Sequence, residues 1–156
     1  MQPHQAEQRL ADLGIVLPDA PRPAAAYAPY RRVGCMLHLA GLGPAAAGGD
    51  PLLGRVGRDL SIEQGYAAAR GAGLNVLALL RAACRGTLDR VVQCVRIGVF
   101  VASGDDFHDQ PLVANGASDL FVEVFGEAGL GARFAVGVNT LPFAVPVEIE
   151  TAWEVA

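Results

Sequence analysis

The stretch from Val91 to Val101 constrains this chain more than any other. It carries Val91, Val92, Val95, Ile97, Val99 and Val101 in quick succession. Branching at Cβ stiffens χ1 and favours a pleated, packed backbone, so the segment reads as a strand. Gly104-Asp105-Asp106 ends it with turn-forming residues. Helical patterns lie on both sides of it, so the strand belongs to a sheet that helices cover, not to an all-β sandwich.

The helix before it opens at Ser61, where Ser61 and Gln64 form an S-x-x-Q capping box. Ala68, Leu74, Leu77, Leu80, Ala83 and Cys84 continue at three- and four-residue steps towards Gly86. Gly71 and Gly73 weaken the helix by about 1 kcal/mol each relative to alanine; they are expected to permit close packing against the sheet. The segment Pro111 to Phe125, with Leu112, Val113, Leu120, Val124 and Phe125, reads as a second helix ended by Gly126, Gly129 and Gly131. Upstream, Tyr30 to Val33 and Met36 to Ala40 form a hairpin across Gly34-Cys35. Downstream, Arg133 to Val138 and Val147 to Val155 are two strands separated by a turn at Leu141-Pro142.

Two lesser segments complete the chain. His4 to Leu13 reads as a short amphipathic helix carrying Ala6, Leu10 and Leu13, stopped by Gly14, and Pro18, Pro21, Pro23 and Pro29 hold the following stretch extended. Gly41 to Asp59 is rich in Gly, Ala and Pro without periodicity. Its length as a loop points to a functional or neighbour-contacting role. The expectation is one α+β domain over residues 1–156, with residues 1–23 as an N-terminal extension. Its order is β-β-α-β-α-β-β, forming a mixed sheet with two main helices on one face.

Composition limits the chemistry. All twelve basic residues are arginine, which removes any mechanism needing a lysine Schiff base or a Walker lysine. A net charge of −4 and an isoelectric point near 5.3 give nucleic acid little attraction, so no nucleic-acid partner is expected. The mean hydropathy of +0.32 owes much to alanine. The most apolar stretches are interrupted by Arg81, Arg85 and Arg96, so no membrane span and no secretion signal are expected. Cys35, Cys84 and Cys94 are odd in number and dispersed, and His4, His38 and His108 are far apart. A zinc site is therefore unsupported, no cofactor is indicated, and reduced thiols in a cytoplasm are expected, with Cys84 and Cys94 as small buried hydrophobes.

The C-terminal third carries a recognisable signature. Ala132-Arg133-Phe134-Ala135-Val136-Gly137-Val138-Asn139-Thr140-Leu141-Pro142, leading to Val147-Glu148-Ile149-Glu150, resembles the Rid/YjgF family of reactive intermediate deaminases. Ala28-Pro29-Tyr30 is similar to the family's Gly-Pro-Tyr, Gly41 to the glycine ending its hairpin, and Phe107 and Asn115 to its residues before and in the second helix. The resemblance covers roughly residues 24–156. It implies a chorismate-mutase-like homotrimer with clefts between subunits, and hydrolysis of 2-imino or enamino acids to 2-oxo acids and ammonia. An older endoribonuclease label also attaches to the family. The extension and the long loop are similar to a subgroup of undefined activity.

The resemblance assigns roles that the residue chemistry supports. An arginine fork suits the carboxylate of an imino acid, and Arg133 stands at the substrate-binding position. Glu148 stands at the position that handles water, and along a strand Glu148 and Glu150 share a face opposite Val147 and Ile149. Tyr30, Asn115 and Gly41 are the remaining expected cleft residues. Read without the motif, these are an ordinary strand-start arginine, a polar sheet face, a half-buried tyrosine and a helix-start asparagine. Departures are visible: Ala40-Gly41-Leu42 stands where the family has Ser-Gly-Gln, Phe134 replaces a small polar residue, and Ala135 replaces a cysteine. Such a cleft is more apolar and favours a bulkier ligand or no turnover. Two readings stay open: a deaminase, or a noncatalytic trimer that binds a small carboxylate metabolite or a protein. Ribonuclease activity is disfavoured.

Overall fold

The computed structural model describes residues 5–44 and 52–156. The chain runs α1 (Ala6–Asp12), β1 (Tyr30–Val33), β2 (Met36–Leu42), α2 (Ile62–Ala83), β3 (Val91–Ala102), α3 (Gln110–Phe125), β4 (Ala132–Val138) and β5 (Val147–Val155). His4, expected to begin the first helix, lies outside the described residues.

The strands form one mixed sheet in the spatial order β1-β2-β5-β3-β4. β3 and β4 are parallel, joined by α3, and the other pairs are antiparallel. Alternation along the strands separates two faces. Leu37, Leu39, Ile97, Val99, Val101, Val147, Ile149, Thr151 and Trp153 are buried on the face that α2 and α3 cover. Glu148, Glu150, Phe100 and Phe134 lie on the other, which no element among the described residues covers. Trp153 anchors α3: its ring meets Phe121 and Phe125 at centroid distances of 5.2 and 5.3 Å, and its Nε1 donates to Thr151 Oγ1 at 2.8 Å.

The capping box at Ser61 is formed in both directions, with Gln64 N donating to Ser61 Oγ and Ser61 N donating to Gln64 Oε1. The two helices pack unusually close. A Cβ on Gly116 would overlap the Tyr66 carbonyl and stand 2.9 Å from Arg70 N, so only glycine admits α2 here. Gly73 serves the same contact: its nearest neighbours are Leu120 and Ala117 on α3, not the sheet, which corrects the sequence expectation. Across the exposed rim of this interface, Tyr66 donates to Asp119 and Arg70 pairs with Glu123.

The loop expectation also needs correcting at both ends. β2 does not stop at Ala40 but continues through a bulge to Leu42, which pairs with Ile149. Residues 45–51 of the expected loop lie outside the described residues. At its far end Val56 is fully buried and forms a rung beyond the end of β3, donating to Ala102 O and accepting from Gly104 N. A buried valine completes its backbone bonding here without a regular strand.

Two substitutions test this packing. Gly116→Val should lower unfolding free energy by about 1–3 kcal/mol through overpacking, and Ser61→Ala by about 1 kcal/mol through loss of the cap. Chemical denaturation of both variants reads these values directly.

Candidate functional site

Arg133 is the second residue of β4, opposite Ile97, and so faces α3. Its Nη1 donates to Asn115 Oδ1 at 2.9 Å and Ser118 Oγ at 3.0 Å, and its Nη2 donates to Pro111 O at 3.4 Å. Asn115 and Ser118 stand three residues apart on one face of α3, which brings both to the same guanidinium. All three acceptors are neutral. Arg133 therefore makes no ion pair among the described residues, and its orientation is held without its charge being cancelled. Beside it lies a small cavity of about 160 Å³ lined by Ile97, Ser118, Gly129, Leu130, Gly131 and Arg133. Ser118 was not anticipated from the sequence; its i+3 spacing from Asn115 was the available signal.

Glu148 is on the uncovered face, opposite Phe100 on β3. Its carboxylate lies across Gly41, where any Cβ would overlap it. Glycine at position 41 leaves room for this carboxylate, the end of a flexible side chain that a larger residue would displace. Of the two glutamates that share this face, Glu150 is engaged by Arg96 at 3.1 Å, while Glu148 has no hydrogen bond or ion pair among the described residues. Phe134 also points to this side, edge-on to Phe100 at 5.4 Å and under the Arg96 guanidinium at 5.4 Å. It therefore lines the Glu148 side, not the Arg133 cavity. Leu42 pairs with Ile149 and packs against the core, so the residue at the family's glutamine position faces inward.

Tyr30 opens β1 opposite Leu39 and rests half-buried against the core on the helix-covered face. β1 and β4 are the two edges of the sheet, about 19 Å apart at ~4.8 Å per strand. Within one chain the expected residues thus fall into three places. Arg133 and Asn115 are together at one edge, Glu148 and Gly41 are together on the opposite face, and Tyr30 is at the other edge. Arg133 and Glu148 do not meet in a single chain.

The thiols contribute nothing nucleophilic near these groups. Burial pushes the Cys94 thiol up to about 12, and burial also raises Cys84. Among the described residues, no group of three or more His, Cys, Asp or Glu side chains is arranged to hold a metal ion.

A mixed sheet with two helices on one face makes this a single α+β domain, an architecture consistent with the chorismate-mutase-like fold. The sequence profile described as "YjgF/chorismate_mutase-like, putative endoribonuclease" matches residues 7–148. The chain belongs to this Rid/YjgF family. It is similar to Protein TCP17 of Trypanosoma cruzi, with 45% identity over 93% of this chain and 91% of that protein. It is also similar to the crystal structure of Atu1372, a protein of unknown function from Agrobacterium tumefaciens. That match has 39% identity and a TM-score of 0.89 over 97% of this chain and 92% of that one. A RidA from a Psychrobacter species matches less closely, with 25% identity and a TM-score of 0.60 over 88% of this chain and 94% of that one. No helix among the described residues is long and apolar enough to cross a membrane.

The thiol environments make a direct prediction. In the native protein at pH 8, a thiol-reactive disulfide dye should label exposed Cys35 quickly and leave Cys84 and Cys94 unmodified until denaturant is added. Rapid labelling of all three without denaturant would contradict the packing described.

Proposed function

We propose that this protein is a hydrolytic deaminase of 2-imino or enamino acids, acting in clefts between subunits of a homotrimer. The observation that carries the reading is the state of Arg133. Its guanidinium is oriented by Asn115, Ser118 and the Pro111 carbonyl, yet has no counter-ion among the described residues. A group held this way favours an incoming carboxylate, because binding replaces water without first breaking an internal ion pair.

The chemistry needs little more. With the substrate carboxylate on Arg133, the C=N carbon is presented to a water molecule. Glu148 takes a proton from that water as its oxygen bonds to carbon, and returns it to the nitrogen. The resulting carbinolamine collapses to a 2-oxo acid and ammonia, so one water is consumed and no cofactor is required. The separation of Arg133 from Glu148 within a chain supports assembly. An edge carrying Arg133, placed against the uncovered face or the β1 edge of a neighbouring copy, supplies the second half of the site. Phe100, Phe134 and Val136 on the uncovered face give such a contact an apolar centre.

A second reading, a noncatalytic trimer binding a carboxylate metabolite or a protein, is favoured by one observation. Ala40 and Leu42 flank Gly41 without a side-chain hydroxyl or amide, and Phe134 and Phe100 border Glu148, leaving few groups to hold an attacking water. The two readings separate in one assay. Freshly generated 2-iminobutyrate and a bulkier aromatic imino acid are offered to the wild type, to Arg133→Ala and to Glu148→Gln. The deaminase reading expects turnover in the wild type, with kcat/KM falling about 100-fold or more in each variant. Carboxylate binding that depends on Arg133 without any wild-type turnover would select the binder. Light scattering is expected to give three times the chain mass, and a monomer at micromolar concentration would remove the shared clefts.

A further inference from the structure

Among the described residues, a cavity larger than the one beside Arg133 lies elsewhere. It lies at the other end of β4, about 20 Å away by the ~3.3 Å rise of the six residues separating Arg133 from Asn139. Its volume is about 490 Å³, and it opens between the 54–58 segment and the turn joining β4 to β5. A second cavity of about 270 Å³ shares Arg55, Asp105 and Asn139 with it.

Three features set this cleft apart from a surface dimple. Arg55 is largely sheltered, its side chain 19% exposed, with Nε donating to Ser103 O at 2.7 Å and Nη2 to Asp105 Oδ1 at 2.7 Å. Its Nη1 has no hydrogen-bond partner among the described residues, nor has Asp105 Oδ2, although the Asp105 carboxylate is 85% exposed. A positive and a negative group therefore stand side by side in the lining, each with bonding capacity left. The Asn139 amide and the Thr140 hydroxyl, also in the lining, likewise have no hydrogen-bond partner among the described residues. Ala102, Leu141, Ala144 and Val145 supply the apolar part of the lining.

The third feature is the backbone of that apolar lining. Phe143 and Ala144 are consecutive non-glycine residues with φ of 59° and 57°, a conformation disfavoured for L residues. The bond from Gly54 N to Ala144 O, 2.9 Å, ties this turn to the segment carrying Arg55. Left-handed residues held by a tie across a cleft fit a preformed binding wall, since such strain persists where surrounding structure enforces it. The segment that supplies Arg55 is the far end of the stretch whose length marked it in the sequence.

We propose that this cleft binds a small α-ammonium carboxylate with an apolar side chain, an amino acid of the leucine type, at a site separate from Arg133. The carboxylate goes to Arg55 Nη1 with Asn139 and Thr140, the ammonium to Asp105, and the side chain to the wall of Ala102, Leu141 and Val145. The cavity falls within the range of small-molecule pockets and exceeds the volume of such a ligand. The proposal does not depend on the deaminase reading.

Isothermal titration of the full chain with L-leucine, 4-methylpentanoate and 3-methylbutylamine tests it. The expected result is saturable binding of leucine to the wild type and to Arg133→Ala alike. Asn139→Asp, which places a second carboxylate against that of the ligand at an exposed position, should weaken leucine about tenfold or more. Asp105→Asn keeps an acceptor for Arg55 but removes the charge. It should weaken leucine about tenfold and leave 4-methylpentanoate unchanged. Circular dichroism of each variant should match the wild type. Absence of leucine binding at millimolar concentration overturns the proposal, as does binding that survives Asn139→Asp and vanishes in Arg133→Ala. Equal affinity of the wild type for leucine and 4-methylpentanoate overturns the role of Asp105.

Discussion

The close contact of α2 with α3 governs much of this molecule. Because Gly116 lets the helices meet at backbone distance, both fit on one face of a five-stranded sheet. Trp153, Phe121 and Phe125 then close the core beneath α3. The same arrangement leaves the second face of the sheet without cover among the described residues. A face bearing Phe100, Phe134 and Val136 beside an Arg96–Glu150 pair suits burial against another surface, and it also carries Glu148.

The division of polar groups follows from strand alternation. Arg133 lies in register with Ile97 and faces α3, so its guanidinium is met by Asn115 and Ser118. Glu148 lies in register with Phe100 and faces away. A cationic group and an acidic group on opposite faces cannot act on one ligand inside a single chain. Oligomerisation is then a requirement of the proposed chemistry. The neutral coordination of Arg133 is equally telling, because its three acceptors orient the guanidinium without cancelling its charge.

Polar capacity is distributed over two regions of the chain. One surrounds the start of β4 and the other its end, where Arg55 and Asp105 form a pair with unused hydrogen-bonding atoms. The second region is assembled by the segment preceding α2, by the end of β3 and by the strained turn before β5. Its parts are distant in sequence, and only the Asn139-Thr140-Leu141 turn belongs to the C-terminal signature. Reading residues in order does not reveal it.

Local chemistry was legible in the sequence wherever it was strong. The β-branched run at 91–101, the capping box of Ser61 and Gln64, and the alternation of Val147-Glu148-Ile149-Glu150 each specify their element through sterics or short-range bonding. The signature around Arg133 likewise identified the family. Tertiary structure alone decided the rest. Gly73 meets α3 instead of the sheet, β2 bulges through Gly41 to reach Leu42, Val56 is buried without a strand, and Ser118 joins Asn115 on Arg133. These outcomes depend on which surfaces face each other after the chain closes, a long-range geometry that no local spacing encodes.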